Sequence, residues 1–358
     1  MVMKLPRCTP VGLVVMALGV ALCVDRPAGL AQTAPTDSAK QEYEQGRKLF
    51  KDGDYAGAVA ALKKAIDSNP RFAEAHDLLG MVYFSGQKQP TEAVEEITKA
   101  IELNPNEPQA YYHLALVHQT QGKPAEAEQA LKRAIELSPR FEDAHFTLAK
   151  LYERNRAAEK SIQAYRALLA VKPGHQGALY SLGYLYDSQG KGAQAREVLE
   201  QLTKMNPRHA DGWYLLGRIA EKENRLTPAT EFYRLAIAAK PDLVDAHYNL
   251  GFIYRSNGKQ DEAAKQFNDV IRLKPEYAEA HLNLGVVYTT LGKLDDAEKE
   301  YETALALKPA MVETHYNLGI FYELHKKDMA KALAQYRKYL ELGGKDERVE
   351  RIVGQVEK

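Results

Sequence analysis

The chain has 358 residues, of which 48 are lysine or arginine and 48 are aspartate or glutamate, so its formal net charge is zero. Proteins that bind nucleic acid generally carry a basic patch or stripe, and neither the overall balance nor any long run of lysine and arginine supplies one. The two cysteines, Cys8 and Cys23, both lie near the N-terminus. If that segment is removed, the remaining chain has no disulfide, thiolate metal site or cysteine nucleophile.

The first 31 residues have the pattern of a secretory signal peptide. Lys4 and Arg7 precede an apolar run from Val11 to Val24, and small residues precede a cut after Ala31. A charged start, a short apolar middle and small residues before the cleavage site are typical of an export signal. We therefore predict cleavage after Ala31 and a periplasmic or cell-envelope location.

Two alternatives apply to the same segment. Residues 11–24 could anchor the chain in the inner membrane, although a membrane span usually needs about 20 apolar residues. Lipid attachment at Cys23 is the second alternative, and it is disfavoured because the bulky Leu22 precedes the cysteine. Residues 32–38 are predicted to form a flexible leader before the first folded unit.

A regular period of prolines organises the rest of the chain. The spacing between successive prolines is 34 residues, with one spacing of 35, at Pro70, Pro105, Pro139, Pro173, Pro207, Pro241, Pro275 and Pro309. Self-similarity at such a period is the signature of repeats that stack on their neighbours. The period divides the chain into nine copies, which begin near Ala39, Ala73, Pro108, Glu142, Gln176, Ala210, Val244, Ala278 and Val312.

Each copy is predicted to form two helices. In the seventh copy His247, Leu250, Gly251 and Tyr254 follow the i, i+3, i+4, i+7 spacing of one buried helical stripe. A glycine inside a helix is unfavourable, so its recurrence predicts that a neighbouring helix approaches too closely for a larger side chain. It recurs at Gly46, Gly80, Gly183, Gly217, Gly251, Gly285 and Gly319, with Ala115 and Ala149 in the other two copies.

Turn residues separate the two helices of a copy. A left-handed glycine commonly closes a helix, and the glycines at this place are Gly53, Gly122, Gly190, Gly258 and Gly292. Asn155 and Asn224 lie at or beside it in the fourth and sixth copies, and asparagine tolerates positive φ. The second and ninth copies each carry one extra residue, around 87–89 and 326–328, which we expect the turn to absorb.

These residues resemble the tetratricopeptide repeat. The family pattern is matched in one copy by Gly251, Tyr254, Ala263, Phe267, Val270 and Pro275, and in the next by Gly285, Tyr288, Ala297, Tyr301, Ala304 and Pro309. The resemblance implies an all-α, right-handed superhelical solenoid whose first helices line a concave surface. The predicted organisation is a signal peptide over 1–31, a leader over 32–38, nine repeats over 39–342 and a C-terminal capping helix within 343–358.

Two groove positions that the resemblance implies are candidates for binding. One is aromatic in seven of nine copies, including Tyr180, Tyr214, Tyr248 and Tyr316. The other holds what we call the asparagine ladder, Asn249, Asn283 and Asn317. An asparagine offers a donor and an acceptor, so the ladder could pair with the backbone of an extended peptide. It resembles the asparagine ladder of O-linked N-acetylglucosamine transferases, whose catalytic domain has no counterpart here.

Structural explanations compete with both candidates. The rings could pack between adjacent repeats, and asparagine could be a common choice beside the Leu-Gly pair.

Histidines share another repeat position, but they occur one per repeat, whereas a metal needs several ligands that converge. They are His76, His145, His247, His281 and His315. We expect no metal, no small-molecule cofactor and no catalytic residue.

The predicted function is a non-enzymatic scaffold or adaptor that binds an extended segment of a partner protein, in bacterial envelope assembly. The envelope placement rests on the N-terminal signal and the family resemblance alone. The alternative is an accessory subunit of an envelope enzyme complex that contains a glycosyltransferase or protease. Self-assembly through the ends of the repeat array is a third possibility, and an apolar stripe in residues 346–356 argues against it at the C-terminal end because a capping helix would cover that end.

Overall fold

The structure is a computed structural model that describes residues 36–356. The predicted signal peptide therefore lies outside the described residues. Within them there are 19 α-helices, one π-helical turn and no β-strand. The helices are α1 (Asp37–Lys51), α2 (Tyr55–Ser68), α3 (Ala73–Ser85), α4 (Pro90–Leu103), α5 (Pro108–Thr120), α6 (Pro124–Leu137), α7 (Glu142–Arg154), α8 (Ala158–Val171), α9 (Gln176–Ser188), α10 (Gly192–Met205), α11 (Ala210–Lys222), α12 (Leu226–Ala239), α13 (Val244–Ser256), α14 (Gln260–Leu273), α15 (Ala278–Thr290), α16 (Leu294–Leu307), α17 (Val312–Phe321), α18 (Met329–Glu341) and α19 (Glu347–Val356).

The helices group into two compact units, and the division falls inside α5: the first unit ends at Val117 and the second begins at His118. In the first unit α1 packs on α2, α2 on α3 and α3 on α4. In the second unit the packed pairs are α7–α8, α9–α10, α11–α12, α13–α14, α15–α16 and α17–α18. This series of helix pairs confirms the predicted all-α class and the helix–turn–helix repeats.

Both ends of the described chain are helical. The Thr36 hydroxyl accepts a hydrogen bond from the Ala39 amide, so α1 begins at Asp37, two residues before the predicted start of the first repeat. At the other end α19 packs on α18 and buries Val349 and Val353. The apolar stripe thus lies against the ninth repeat, where the sequence predicts a cap.

Close approach of the two helices in a repeat explains the recurring glycine. A Cβ atom at Gly217 would lie 2.6 Å from the Tyr233 ring, and one at Gly80 would lie 2.5 Å from Ile97 Cγ1. The equivalent contacts join Gly46 to Leu62, Gly183 to Leu199, Gly251 to Phe267, Gly285 to Tyr301 and Gly319 to Tyr336. In these seven repeats an added Cβ would come too close to a side chain of the second helix, which explains glycine in spite of its poor helix propensity. The third and fourth repeats accommodate Ala115 and Ala149 at the same position.

The carbonyl oxygen of every period-marking proline accepts a hydrogen bond from a side chain. His281 Nε2 donates to the Pro275 carbonyl at 2.9 Å, and Trp213 Nε1 donates to the Pro207 carbonyl at 2.9 Å. The other pairs are His76 with Pro70, Tyr111 with Pro105, His145 with Pro139, Gln201 with Pro173, His247 with Pro241 and His315 with Pro309. The shared histidine position therefore fastens the connection between repeats.

Two of these histidines also bond an acid, and His76 Nδ1 lies 2.6 Å from Glu96 Oε2. His281 Nδ1 lies 2.6 Å from Glu300 Oε2, and this hydrogen bond is the main cause that raises the pKa of His281. Both ring nitrogens face acceptors, the carboxylate and the proline carbonyl, so the arrangement favours the doubly protonated ring.

The turns follow the predicted pattern with one difference. All five turn glycines have φ between 70° and 83°, and Asn224 has φ 57°. In the fourth repeat, however, the left-handed residue is Arg156 with φ 58°, whereas Asn155 has φ −82° and remains near the helical region.

The two extra residues are absorbed where they were expected, by different means. In the second repeat Lys88 adopts φ 54° just before α4 begins. In the ninth repeat the first helix widens into a π-helical turn, Tyr322–Lys326, before Lys327 reverses the chain at φ 54°. A π-turn accommodates one additional residue without breaking the helix.

A matched pair of substitutions tests the close approach. Gly217→Ala should lower the free energy of unfolding by about 1–3 kcal/mol, because its Cβ atom would lie 2.6 Å from the fully buried Tyr233 ring. Gly354→Ala on α19 is the control, since no atom lies within 4 Å of its Cβ position. The control should leave stability unchanged or raise it by about 0.5–1 kcal/mol. Urea denaturation followed by circular dichroism measures both, and equal effects would contradict the explanation.

Candidate functional site

The predicted site residues lie on first helices of the second unit. They are Tyr180 on α9, Tyr214 on α11, Tyr248 and Asn249 on α13, Asn283 on α15, and Tyr316 and Asn317 on α17. Helix α13 contacts α15, and α15 contacts α17. The asparagine ladder therefore spans three adjacent helices.

The tyrosine rings pack against neighbouring repeats. The Tyr180 ring lies 5.5 Å from the His209 ring, and the Tyr248 ring lies 5.2 Å from the Tyr277 ring. His209 and Tyr277 each precede the first helix of the following repeat as its N-terminal capping residue. Tyrosines at this position thus stabilise the contact between adjacent repeats. Only the exposed part of each ring can contact a ligand.

The other two tyrosines have similar neighbours. Tyr214 packs in the cluster that contains Leu243, the N-terminal capping residue of α13. Tyr316 has no following repeat, and its ring lies 5.2 Å from the ring of Tyr339 on α18. Burial raises the pKa of Tyr180, Tyr214, Tyr248 and Tyr316, so these phenols stay protonated and keep a donor.

Asn283 is the most engaged member of the asparagine ladder. Its side chain is buried, and Nδ2 donates to the Tyr248 hydroxyl at 3.1 Å and to the Glu279 carbonyl at 2.7 Å. Its Oδ1 accepts from Arg255 at 2.5 Å. Because a carboxamide has two N–H donors, Asn283 has none left for a peptide.

Asn249 and Asn317 keep more unused hydrogen-bonding atoms than Asn283. Both are half-buried. Asn249 Nδ2 donates to the Tyr233 hydroxyl at 3.1 Å, and Asn317 Nδ2 donates to the Glu313 carbonyl at 2.7 Å. No donor among residues 36–356 bonds the Oδ1 atom of either side chain, so each retains an acceptor that can face a ligand.

An apolar row that the sequence analysis did not identify lies beside the ladder. Phe252, Val286 and Ile320 follow the tyrosine position by four residues, which places them on the same face one turn further along. Phe252 is 40% exposed, and Val286 and Ile320 are partly exposed. Their spacing of 34 residues was available as a signal. We call the face of α13, α15 and α17 that carries this row and the ladder the C-terminal groove.

A cavity opens at the C-terminal groove. It has a volume of about 720 Å³, and its lining includes Tyr248, Leu282 and Asn283. Lys308 and Glu279, which also line it, form an ion pair, and the hydrogen bond from Lys308 lowers the pKa of the Glu279 carboxyl. The lining is thus mainly apolar, with one amide, one ion pair and the further carboxylate of Glu313.

The first unit holds a smaller cavity of about 300 Å³. Asp77 occupies the tyrosine position there, and its carboxylate lies 2.9 Å from His113 Nδ1 on α5. The aromatic row is therefore interrupted by an acid–histidine pair in the second repeat.

Over the part of the chain that the structure describes, no helix combines the length and apolar character of a membrane span, and no three His, Cys, Asp or Glu side chains converge as metal ligands.

The family follows from comparison with known families. Models described as tetratricopeptide repeat match residues 43–108, 85–140, 112–176, 180–244 and 290–347, and further repeat models match 232–265 and 253–292. These matches cover most of the chain, which belongs to the tetratricopeptide repeat family. Members of this family mediate protein–protein interaction on a fold that is generally non-catalytic. No curated protein matches the chain significantly.

Solved structures are similar to parts of the chain, and one of them shares its fold at a TM-score above 0.5. The C-terminal part of a TPR repeat-containing protein from Cytophaga hutchinsonii matches with TM-score 0.61 and 16% identity, over 68% of this chain and 99% of that one. A MamA protein matches with TM-score 0.42 and 28% identity, over 47% and 91%. YrrB, described as a TPR protein with an unusual peptide-binding site, matches with TM-score 0.47 and 22% identity, over 52% and 96%.

The unequal engagement of the ladder predicts unequal effects on stability. Asn283→Ala should lower the free energy of unfolding by about 1–3 kcal/mol, because it leaves Arg255 and the Tyr248 hydroxyl without their bonds. Asn317→Ala removes one bond at a partly exposed site and should cost less than about 0.5 kcal/mol. Urea denaturation of the two variants makes the comparison. Equal losses would mean that Asn283 is no more structural than Asn317.

Proposed function

We propose that this protein is a non-enzymatic adaptor that binds an extended segment of a partner protein in the C-terminal groove. The supporting observation is the apolar row on α13, α15 and α17, exposed at Phe252 and partly exposed at Val286 and Ile320, beside the half-buried amides of Asn249 and Asn317. Apolar side chains supply affinity that does not depend on exact geometry. Side-chain amides supply donors and acceptors that can meet a peptide backbone.

The expected energetics suit a reversible adaptor. A peptide that covers Phe252, Val286 and Ile320 removes apolar surface from water, at about 25 cal/mol per Å². Bonds to Asn249 and Asn317 would each contribute about 0.5–1.5 kcal/mol. Asn283 does not contact the ligand itself in this proposal. It orients Tyr248 and Arg255, and these two residues contact the ligand.

The proposed partner lies in the bacterial envelope. The signal-peptide pattern in residues 1–31 supports export, and an inner-membrane anchor formed by residues 11–24 would also present the repeats to the envelope. Both versions give the adaptor access to envelope proteins. The aromatic rings of Tyr180 and Tyr214 would extend the same binding face toward earlier repeats.

Photo-crosslinking from matched positions tests the proposal. A photoreactive phenylalanine analogue is placed at Phe252 or Tyr184, and at Met205 on the second helix α10 as the control. Tyr184 and Met205 are each 48% exposed, so accessibility alone predicts equal yields. We expect partner adducts from Phe252 and Tyr184 in native cells and none from Met205. Equal adducts from Met205, or adducts from Met205 only, would contradict a ligand on the first helices.

A further inference from the structure

A hydrogen bond recurs at one position near the end of the first helix in four repeats of the second unit, whereas in the fifth repeat Leu199 replaces the tyrosine partner and Asp187 pairs with Lys222 instead. Glu153, Glu221 and Glu323 occupy this position in the fourth, sixth and ninth repeats. Each accepts a hydrogen bond from a buried tyrosine of the second helix, in the pairs Glu153–Tyr165, Glu221–Tyr233 and Glu323–Tyr336. In the eighth repeat Thr289 and Tyr301 make the same contact at 3.1 Å. The position thus normally holds an acceptor for a second-helix phenol.

The seventh repeat departs from this pattern at both partners. Arg255 stands where its neighbours place an acid or threonine, and Phe267 stands where they place tyrosine. Phenylalanine has no hydroxyl that would need an acceptor, so the usual bond is absent and the guanidinium extends elsewhere. It reaches across to α15, where it donates to Asn283 Oδ1.

Arg255 has no acidic partner in the second unit or elsewhere in residues 36–356. Other cations on this row of first helices are paired: Arg218 Nη2 lies 3.6 Å from Asp187, and Lys222 Nζ lies 2.7 Å from the same carboxylate. Arg255 instead bonds the neutral amide of Asn283 and lies 4.8 Å from the Phe252 ring. Burial lowers the pKa of Arg255, which reflects a charge removed from water without a counter-ion.

Glu221 and Glu323 share the row of Arg255, but Glu221 accepts from Tyr233, and Glu323 accepts from Tyr336 and pairs with Arg348. The other acids of this face lie at its opposite edge. Asp245, Glu279 and Glu313 belong to the first turns of α13, α15 and α17, whereas Arg255 belongs to the last turn of α13. At 1.5 Å per residue, Asp245 and Arg255 are separated by about 15 Å along the helix. Glu279 is already paired with Lys308. The free positive charge in the C-terminal groove therefore belongs to Arg255.

We propose that Arg255 is the specificity-determining residue of the C-terminal groove and binds the side-chain carboxylate of an aspartate or glutamate in the partner segment. Arg255 is held in place by Asn283 and Phe252, so it is oriented before a ligand arrives, and a planar guanidinium suits two-point contact with a carboxylate. The groove continues past Arg255 onto α15 and α17, so the acid lies inside an extended segment. The proposal rests on the peptide-binding function proposed above.

Selection of displayed peptides tests the assignment. A random 12-residue library, joined to the coat protein through the peptide C-terminus, offers only side-chain carboxylates. It is selected on the full repeat array as wild type, Arg255→Gln and Arg255→Glu. Arg272→Gln is the control, because it removes the same charge from a second helix. Arg272 lies on α14, is exposed and pairs with Asp269. Circular dichroism melting of each variant verifies the fold.

Peptides selected on the wild type and on Arg272→Gln should share a position occupied by aspartate or glutamate. Peptides selected on Arg255→Gln should lack this acidic position, and those selected on Arg255→Glu should carry a basic residue there. Replacing the acid by its amide in a synthetic selected peptide should weaken binding to wild type about tenfold or more, with no change for Arg255→Gln. Peptides without an acidic position, or an acidic position that survives Arg255→Gln, would overturn the role of Arg255 while leaving peptide binding intact. If no peptide is selected on any protein, both the role of Arg255 and the proposed function fail.

Discussion

The structure depends on the contact between a glycine of the first helix, present in seven of the nine repeats, and a large side chain of the second helix. This contact fixes how closely the two helices of a repeat approach, and it fills the core with Leu, Ile, Phe or Tyr from the second helix. Interiors packed this tightly tolerate little change in volume. The proline carbonyl, bonded in every repeat by a side chain, then joins one pair to the next. Together these two contacts account for the recurring glycine, the large residue opposite it, and the side chain that bonds each proline carbonyl.

Because packing uses one side of each first helix, the opposite side is free to differ from repeat to repeat. The tyrosine position shows an intermediate case, since the rings rest on the capping residue of the next repeat and stay partly exposed. The ladder, the apolar row and Arg255 occur in only part of the array. Arg255 and Phe267 replace the acceptor and tyrosine that bond each other in four other repeats, and the Arg255 side chain bonds Asn283 on α15 instead.

The sequence was sufficient to predict the repeats, because Pro275, Gly251 and their equivalents recur for packing reasons that act locally. It was insufficient where a residue depends on its three-dimensional neighbours. The left-handed Arg156 was missed because asparagine has the stronger intrinsic preference for that conformation. The burial of Asn283 was missed because its partners, Tyr248 and Arg255, belong to another helix. The signal peptide and the binding site itself remain predictions.

Hydrogen–deuterium exchange of the protein, alone and with a peptide selected from the displayed library, tests the central claim most directly. Exchange reports local opening of each helix. Binding in the C-terminal groove predicts slower exchange in α13, α15 and α17, and smaller changes in the second helices α14, α16 and α18. Protection confined to the second helices, or to the first unit, would contradict the account.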